Sequence, residues 1–202
     1  MEFSEVNKNR HAVKSFNGEK INSDLLKEIL TEATLAPSAH NIQPWHFVIV
    51  ASQEKRAALS TVLPVNNAKQ HESAGATIVV CSDVDLPERV IELVEIGGEF
   101  LAGFTKEALL EKMPLLFESY TESQLANYLA LNIGLVAQNI LLSANNRTIK
   151  TNVILGFDKT GVTEILGLDE RYHPELILTL GYSDDEGKAS YRLPVDFVTD
   201  IV

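Results

Sequence analysis

The spacing of apolar and polar residues along the chain predicts several amphipathic helices. Between Leu25 and Ala33, apolar side chains recur every three or four positions, and the preceding Asn22-Ser23-Asp24 supplies a capping signal for a helix start. Further helices are predicted over residues 2–9, 53–63, 87–112, 122–146 and 161–166, with a weak point at Gly97-Gly98 and with Pro37, Pro64 and Pro114 ending three helices. The helix at 122–146 is apolar nearly all round, so we expect it to be buried on more than one side.

Short apolar runs between the predicted helices indicate β-strands. They cover residues 46–50, 76–81 and 175–180, and residues 151–155 are expected to be extended. Helical segments separate the strands and outnumber them, which favours an α+β fold of three layers. Because the sequence contains no repeat, no low-complexity tract and no linker rich in Pro, Gly or Ser, residues 1–202 are predicted to form one domain.

The last eight residues of the sequence are rich in apolar side chains that need a covering surface. The apolar members of this segment are Val195, Phe197, Val198, Ile201 and Val202. A terminal segment of this kind often pairs with the edge of a β-sheet. That sheet belongs either to the same chain or to a second copy, and the sequence leaves both alternatives open.

Composition narrows the classes of function. The formal net charge is -11 and the pI about 4.9, which argues against non-specific binding to nucleic acid, because such binding needs a basic surface. The first residues show no basic start followed by an apolar run, so we expect no secretory signal. Four amide side chains interrupt the apolar segment 125–144 and would be costly in contact with lipid. We therefore expect a cytoplasmic protein without a membrane partner.

Motifs for direct side-chain or metal chemistry are missing from the sequence. The only cysteine, Cys81, follows a predicted buried strand segment and is expected to be an inert core thiol. The five histidines show none of the spacings typical of a zinc site. No dinucleotide-binding, P-loop or nucleophile-elbow motif occurs. If the protein is an enzyme, a bound organic cofactor is expected to perform the chemistry.

A basic cluster near the N-terminus is the first candidate binding segment. Arg10, His11 and Lys14 lie within five residues of each other in an acidic protein. On an extended strand Arg10, Ala12 and Lys14 share one face, so the two cations could hold opposite ends of an anionic ligand. Arg192 is a second candidate phosphate ligand. The alternative for all these cations is a solvated charge on the surface.

The segment Ala36–Trp45 has the composition of a rigid loop that faces a ligand. Ser38 and Asn41 offer small donors and acceptors, and the two prolines of the segment reduce the entropy lost when the loop is ordered. His40 faces either a ligand or solvent. Trp45 comes directly before a predicted strand and is expected to pack in the core.

Together these segments resemble the FMN-dependent nitroreductase family. The resemblance rests on Arg10-His11-Ala12-Val13-Lys14-Ser15-Phe16, on Ala36-Pro37-Ser38-Ala39-His40-Asn41-Ile42-Gln43-Pro44-Trp45 and on Arg192-Leu193-Pro194, whose order and spacing fit from residue 3 to the C-terminus. It implies an α+β, three-layer α/β/α fold with a mixed, mainly antiparallel central sheet. It also implies an intertwined homodimer with C-terminal strand exchange, in which residues 193–202 extend onto the partner subunit and two FMN sites form at the interface.

The resemblance also implies a set of FMN-binding residues. By motif position they are Arg10, His11, Ala12, Lys14, Pro37, Ser38, Asn41, Asn67, Gln70, Leu155, Gly156 and Arg192. Arg10 and Arg192 would hold the phosphate, and His11 and Ala12 would lie beside the phosphate and the ribityl chain. Lys14 would lie by the pyrimidine edge of the flavin.

The remaining members of this set would surround the flavin ring. The loop residues 37, 38 and 41 would come from the other subunit, Asn67 would lie at the polar edge, and Leu155-Gly156 would present a backbone amide near N5. Ala12 and Ser190 depart from the family pattern by lacking a hydroxyl and a basic group, which could weaken phosphate binding. Gln70 replaces a second lysine of some members and would soften the stabilisation of reduced flavin, and Leu155 replaces an acidic residue.

The activity that the resemblance implies is that of an FMN-dependent NAD(P)H oxidoreductase. Hydride would pass by a ping-pong cycle to a nitroaromatic, quinone or similar electron-poor acceptor, and no side chain needs to act as a catalytic group. Residues 98–120 would form a variable cover over the flavin, with His40, Phe104 and Phe117 as candidate acceptor contacts and core packing as the alternative for the two aromatic residues. The alternative functions are a flavin reductase or NADH oxidase, a non-catalytic FMN-binding redox sensor, and a structural dimer without flavin.

Overall fold

The computed structural model describes residues 2–97 and 105–202. Within these residues the helices are α1 (Phe3–Asn9), α2 (Ser23–Ala33), α3 (Gln53–Ser60), α4 (Val65–Ser73), α5 (Leu86–Gly97), α6 (Lys106–Glu118), α7 (Glu122–Asn146) and α8 (Lys159–Leu166). The strands are β1 (Trp45–Ile49), β2 (Ala76–Asp83), β3 (Lys150–Ile154) and β4 (Tyr172–Gly181). Short 3₁₀ turns form at Ala39–Asn41 and Val195–Phe197.

The four strands form one antiparallel sheet in the order β1-β2-β4-β3. The inner strands are β2 and β4, and Val79 of β2 lies opposite Val48 of β1 on one side and Ile177 of β4 on the other. A parallel bridge joins Ala12 to Thr151 of β3. Within the part of the chain that the structure describes, this bridge is the one parallel pairing, so the mixed character of the sheet is confined to that edge.

Helices cover both faces of the sheet. Because the side chains of β2 alternate in direction, they are buried on both sides. Ile78 and Val80 are fully buried against α2 and α7. Val79 and Cys81 are fully buried against α3 and α8 on the opposite face. The predicted three-layer α+β arrangement is therefore confirmed.

A further apolar cluster joins α5, α6 and the first turns of α7 at one end of the molecule. Its buried side chains include Val90 and Val94 of α5, Met113 of α6 and Leu129 of α7. Ile42, from the loop before β1, inserts into the same cluster and is almost fully buried. The predicted ligand-facing loop is thus packed against this helical layer.

Two predicted helix boundaries are wrong, and one helix was not predicted. The predicted helix at 87–112 is two helices, α5 and α6, and Pro114 lies inside α6 instead of ending it. The helix α3 ends at Ser60, before the predicted end at residue 63, and Pro64 is the N-cap residue of α4. The buried side chains of α4 are Gln70 and His71, and because both are polar the segment shows no apolar repeat.

The long helix α7 packs against the sheet and against α1 and α2, and it keeps one exposed face. Ile133, Val136 and Ile140 pack in the core, whereas Leu131 and Leu135 are 72% and 46% exposed. The expected burial on more than one side is confirmed for the second half of α7, where Ser143 and Asn145 point to nearly opposite sides of the helix and are both buried. The length and hydropathy of α7 would also suit a membrane span, a property that helices of protein cores share.

The C-terminal tail, residues 193–202, is exposed along its whole length. Phe197 and Ile201 are 75% and 98% exposed. The described residues of the tail add no strand to the sheet of their own chain. Of the two alternatives for this tail, pairing with its own sheet is therefore not observed.

Candidate active site

The basic segment at residues 10–14 is extended and docked onto the edge strand β3. Arg10 follows the last turn of α1, and its N–H donates to the carbonyl of Val6. The N–H of Val13 donates to the carbonyl of Thr151 over 3.0 Å, and the Val13 side chain is buried. Because side chains alternate along an extended chain, burial of Val13 leaves Lys14 exposed.

The three candidate phosphate and flavin cations are not paired with any acidic side chain that the structure describes. None of the ion pairs between residues of 2–97 and 105–202 includes Arg10, Lys14 or Arg192. Among the residues of 2–97 and 105–202, Arg192 donates to the carbonyls of Ser190 and Tyr191, over 3.3 and 3.1 Å. These cations are therefore available to an anionic ligand.

His11 is held by the chain segment that follows β4. Its Nδ1 lies 3.0 Å from the backbone oxygen of Glu186. Gly187 packs so closely that a Cβ there would lie 2.8 Å from the Cβ of His11, and its φ of +72° also requires glycine. A polar cavity of about 640 Å³ lies beside this contact and includes the side chain of Lys150 in its wall. His11, the residue next to Arg10, is thus held in place by its contacts with Glu186 and Gly187.

Asn67 and Gly156 are brought together at the other end of β3. The Nδ2 of Asn67 donates to the carbonyl of Gly156 over 3.2 Å. Leu155, which precedes this glycine, is exposed. The structure therefore brings Asn67 together with Leu155-Gly156 of the predicted set, although Asn67 and Gly156 are 89 positions apart in sequence.

Gln70 differs from its expected position at a cofactor surface. Its side chain is buried, and its Nε2 donates to Oγ1 of Thr179 over 2.7 Å. Its Oε1 accepts a hydrogen bond from Nδ2 of Asn152 over 3.1 Å. Both ends of the amide are therefore engaged inside the protein. Asn152 was not singled out by the sequence, because it lies within an ordinary strand pattern.

The loop between α2 and β1 adopts an unusual backbone conformation. His40, Asn41 and Gln43 have φ angles of 58°, 55° and 52°, in the left-handed region that non-glycine residues seldom occupy. Within the loop, Oγ of Ser38 accepts a hydrogen bond from the N–H of Gln43 over 2.9 Å. Pro37, His40 and Asn41 remain exposed.

The acceptor-contact residues predicted from the sequence have different placements. Phe117 is buried among aromatic rings, with its ring centroid 6.1 Å from that of Tyr120 and 5.7 Å from that of Tyr128. This placement agrees with the core-packing alternative. His40 is exposed on the loop, and Phe104 lies outside the described residues.

The similarity of the chain to known proteins identifies its family. Residues 8–182 match the profile of the nitroreductase family. The chain belongs to the nitroreductase family. This finding confirms the resemblance drawn from the sequence, together with the predicted class of oxidoreductase enzyme.

Relatives of this nitroreductase align with it over nearly their entire lengths. A Streptococcus pyogenes protein named as a candidate NAD(P)H nitroreductase, Spy0809, is 44% identical over 200 residues, or 99% of each chain. A crystal structure of a nitroreductase family protein from Streptococcus pneumoniae TIGR4 has a TM-score of 0.92 at 42% identity, with 100% of each chain covered. A nitroreductase-type protein from Exiguobacterium sibiricum, in complex with FMN, has a TM-score of 0.87 at 30% identity, covering 100% of this chain and 98% of that one.

In a single nitroreductase chain the predicted site residues fall into two groups. The first, along β3, consists of Arg10–Lys14, Asn67 and Leu155-Gly156; the second, beside α7, consists of Pro37, Ser38, His40 and Asn41. Among the described residues no hydrogen bond or ion pair joins one group to the other. Arg192 in the exposed tail belongs to neither.

Proposed function

We propose that this protein is an FMN-dependent NAD(P)H oxidoreductase that reduces nitroaromatic, quinone or similar electron-poor acceptors. The observation that carries the proposal is the likeness, over the whole chain, to a protein of this family in complex with FMN. The site itself gives a second observation in favour of the proposal, because Arg10 and Lys14 form no ion pair with a described residue and could bind an anionic ligand.

The residues of this chain suit a ligand that has an anionic end and a polar ring edge. Arg10 and Arg192 would hold the phosphate, because a guanidinium forms two charge-assisted hydrogen bonds with such a group. Lys14 would place a positive charge by the pyrimidine edge. Asn67 would offer its amide at the polar edge, beside Gly156.

A homodimer would complete the site. In the single chain the loop at 37–41 and the basic segment lie in separate groups, and an exposed apolar tail and an exposed face of α7 accompany them. We propose that the loop of one subunit meets the basic segment of the other, and that residues 193–202 lie on the partner. Covering Phe197 and Ile201 in this way would remove apolar surface from water. Each Å² of apolar surface that is covered would stabilise the dimer by about 25 cal/mol.

The chemistry that FMN supplies when bound is the acceptance of a hydride from NAD(P)H and its later delivery to the acceptor. We propose that the two substrates use the site in turn, in a ping-pong cycle. The contribution of Lys14 would be electrostatic, since a fixed cation stabilises negative charge that develops beside it. Arg10 and Arg192 would hold the cofactor between half-reactions.

The experiment that tests the proposal begins with the purified protein and its flavin content. Arg10→Ala should weaken FMN binding roughly 10- to 150-fold, because a hydrogen bond to a charged group contributes about 1.5–3 kcal/mol. Lys8→Ala is the matched control, since Lys8 is an exposed cation on α1 just before the site. FMN retention equal to that of the parent protein in Arg10→Ala would contradict the assignment of the phosphate ligand.

The same protein then separates the alternative functions. Anaerobic stopped-flow mixing with NADH and with NADPH should bleach the flavin absorbance, and a panel of acceptors should restore it. Flavin that stays oxidised with both nucleotides would indicate a redox sensor. Reoxidation by oxygen or by free flavin alone would indicate an NADH oxidase or flavin reductase. Colourless protein that cannot be reconstituted with FMN would indicate a structural dimer.

A further inference from the structure

The loop that carries Ser38 and Asn41 needs support from outside itself. Three of its non-glycine residues lie in the left-handed region of backbone conformation, and such residues persist only where the surrounding structure fixes them. The hydrogen bonds inside the loop join Gln43 to Ser38, Asn41 and Trp45 and close a single 3₁₀ turn. Outside support comes from the burial of Ile42, from the N–H of Asp83, which donates to the carbonyl of Pro44, and from α7. The contact with α7 is made at the backbone of Ala39, at the start of the turn.

Two side chains of α7 hold the peptide groups of Ala39 from both sides. Oδ1 of Asn132 accepts a hydrogen bond from the N–H of Ala39 over 2.8 Å. The hydroxyl of Tyr128 donates to the carbonyl of Ala39 over 2.8 Å. Because positions four apart share one face of a helix, the two side chains approach the loop together.

Asn132 is itself fixed by the helix. Its side chain is 3% exposed, and its Nδ2 donates to the carbonyl of Tyr128 over 2.6 Å. Because both ends of its amide are hydrogen-bonded, the side chain of Asn132 is held in one orientation, with Oδ1 directed at the N–H of Ala39. The rigid helix thereby sets the position of the turn.

We propose that Tyr128 and Asn132 are positioning residues of the flavin site, acting through Ala39 on the side chains of Ser38 and Asn41. The inference rests on the proposed function, because it concerns the loop expected to contact FMN. A loop held in its bound conformation loses less entropy when the ligand binds. Removing either hydrogen bond lets the loop leave its left-handed form and weakens FMN binding without touching a contact to FMN.

Tyr128 also connects the loop to α6. Its ring centroid lies 5.7 Å from that of Phe117 and 5.8 Å from that of Tyr120. Tyr128→Phe keeps this ring packing and removes only the hydroxyl that reaches Ala39. Asn139→Leu is the matched control, because Asn139 also lies on α7 and its Nδ2 donates to the carbonyl of Ala33 in α2 instead of to the loop.

The test compares Tyr128→Phe and Asn132→Leu with the parent protein and the control. FMN binding to the flavin-free proteins is measured by quenching of flavin fluorescence, and each variant should bind FMN about 3- to 10-fold more weakly, while the control stays within about twofold. The circular dichroism of bound FMN in the visible range should change in the two variants. Hydrogen exchange in a peptide spanning residues 36–45 of the flavin-free protein should become faster, which reports on the loop without flavin.

Each outcome decides between the possible failures. If the parent binds FMN and both variants bind it equally well with unchanged exchange in residues 36–45, the positioning inference is overturned and the proposed function stands. A parent protein that cannot bind FMN overturns both. If Asn132→Leu does not fold, Tyr128→Phe still decides. A lowered melting temperature with unaltered FMN affinity would show a merely structural role and also overturn the inference.

Discussion

Asp83 gives a sharp test of how the helical layer is attached to the sheet. This fully buried carboxylate at the end of β2 binds Arg89 of α5 over 2.7 Å and Arg171, just before β4, over 2.7 Å. Glu92 also contacts both arginines, over 3.0 and 2.6 Å. Asp83→Asn keeps the shape of the side chain but leaves two arginines, each less than one-fifth exposed, with one carboxylate.

The expected loss of stability follows from the charges that remain after the substitution, two arginines and the carboxylate of Glu92. Breaking a buried ion pair by removing one partner costs about 3–5 kcal/mol. Since Glu92 continues to neutralise part of the charge, we expect the lower end, about 3 kcal/mol. With a urea slope of about 2 kcal/mol per M, the unfolding midpoint should fall by about 1.5 M. In a domain of this size the melting temperature should fall by roughly 6–12 °C.

Equilibrium unfolding in urea, at one fixed protein concentration, measures this change. The only tryptophan, Trp45, is buried on β1 opposite Ser82 of β2 and reports on the same end of the sheet. Glu88→Gln is the control, because Glu88 is an exposed carboxylate on α5. A loss below about 1 kcal/mol in Asp83→Asn, with an unchanged urea slope, would refute the reasoning that this buried carboxylate compensates two partly buried cations.

Three further predictions concern acid stability, thiol reactivity and core packing. Hydrogen bonds from Arg147 and Ser143 lower the pKa of Glu32 from 4.5 to about 2. The stabilisation is therefore complete above pH 4.5 and is lost as the pH falls toward 2. Because Glu32 is half exposed it amounts to only about 1 kcal/mol, and Glu32→Gln should flatten this part of a pH series of urea unfolding. Burial raises the pKa of the Cys81 thiol to about 12, so a thiol reagent should modify the protein only after unfolding, and rapid labelling of the native protein would contradict this. Phe117→Ala should lower the free energy of unfolding by about 3–5 kcal/mol in thermal or urea unfolding, whereas a loss under 1 kcal/mol would argue against core packing.

The elements predicted best from the sequence are those whose burial is apolar. The strand at 76–81 and the helix at 122–146 are predictable because their buried faces are mainly apolar, with a minority of polar members such as Thr77 and Asn132. α4 was missed because it buries Gln70 and His71, which bind Thr179, Thr77 and backbone groups instead of an apolar surface. A pattern of hydrophobic positions carries no signal for burial of that kind.

The candidate site was predictable only as far as its motifs are local. Arg10, Lys14 and the loop at 36–45 stand out in the sequence. In the structure residues 10–14 are extended, which is the conformation in which Arg10, Ala12 and Lys14 share one face. The support of the loop could not be predicted, because Asn132 and Ala39 are 93 positions apart and an asparagine within an apolar helix has no distinctive pattern. The buried orientation of Gln70 likewise depends on a contact with a strand 109 positions later.

The bridge between Ala12 and Thr151 has a consequence for the order in which the molecule is made. These residues are 139 positions apart, and a ribosome releases the N-terminal segment long before the strand on which it docks. Contacts between such distant parts of a chain close large loops and tend to form slowly. Residues 10–14 should therefore stay undocked on a nascent chain until β3 has emerged. Proteins truncated before residue 150 should lack the strand on which residues 10–14 dock. A cofactor supplied during expression should bind only at the last stage of maturation, after β3 has formed.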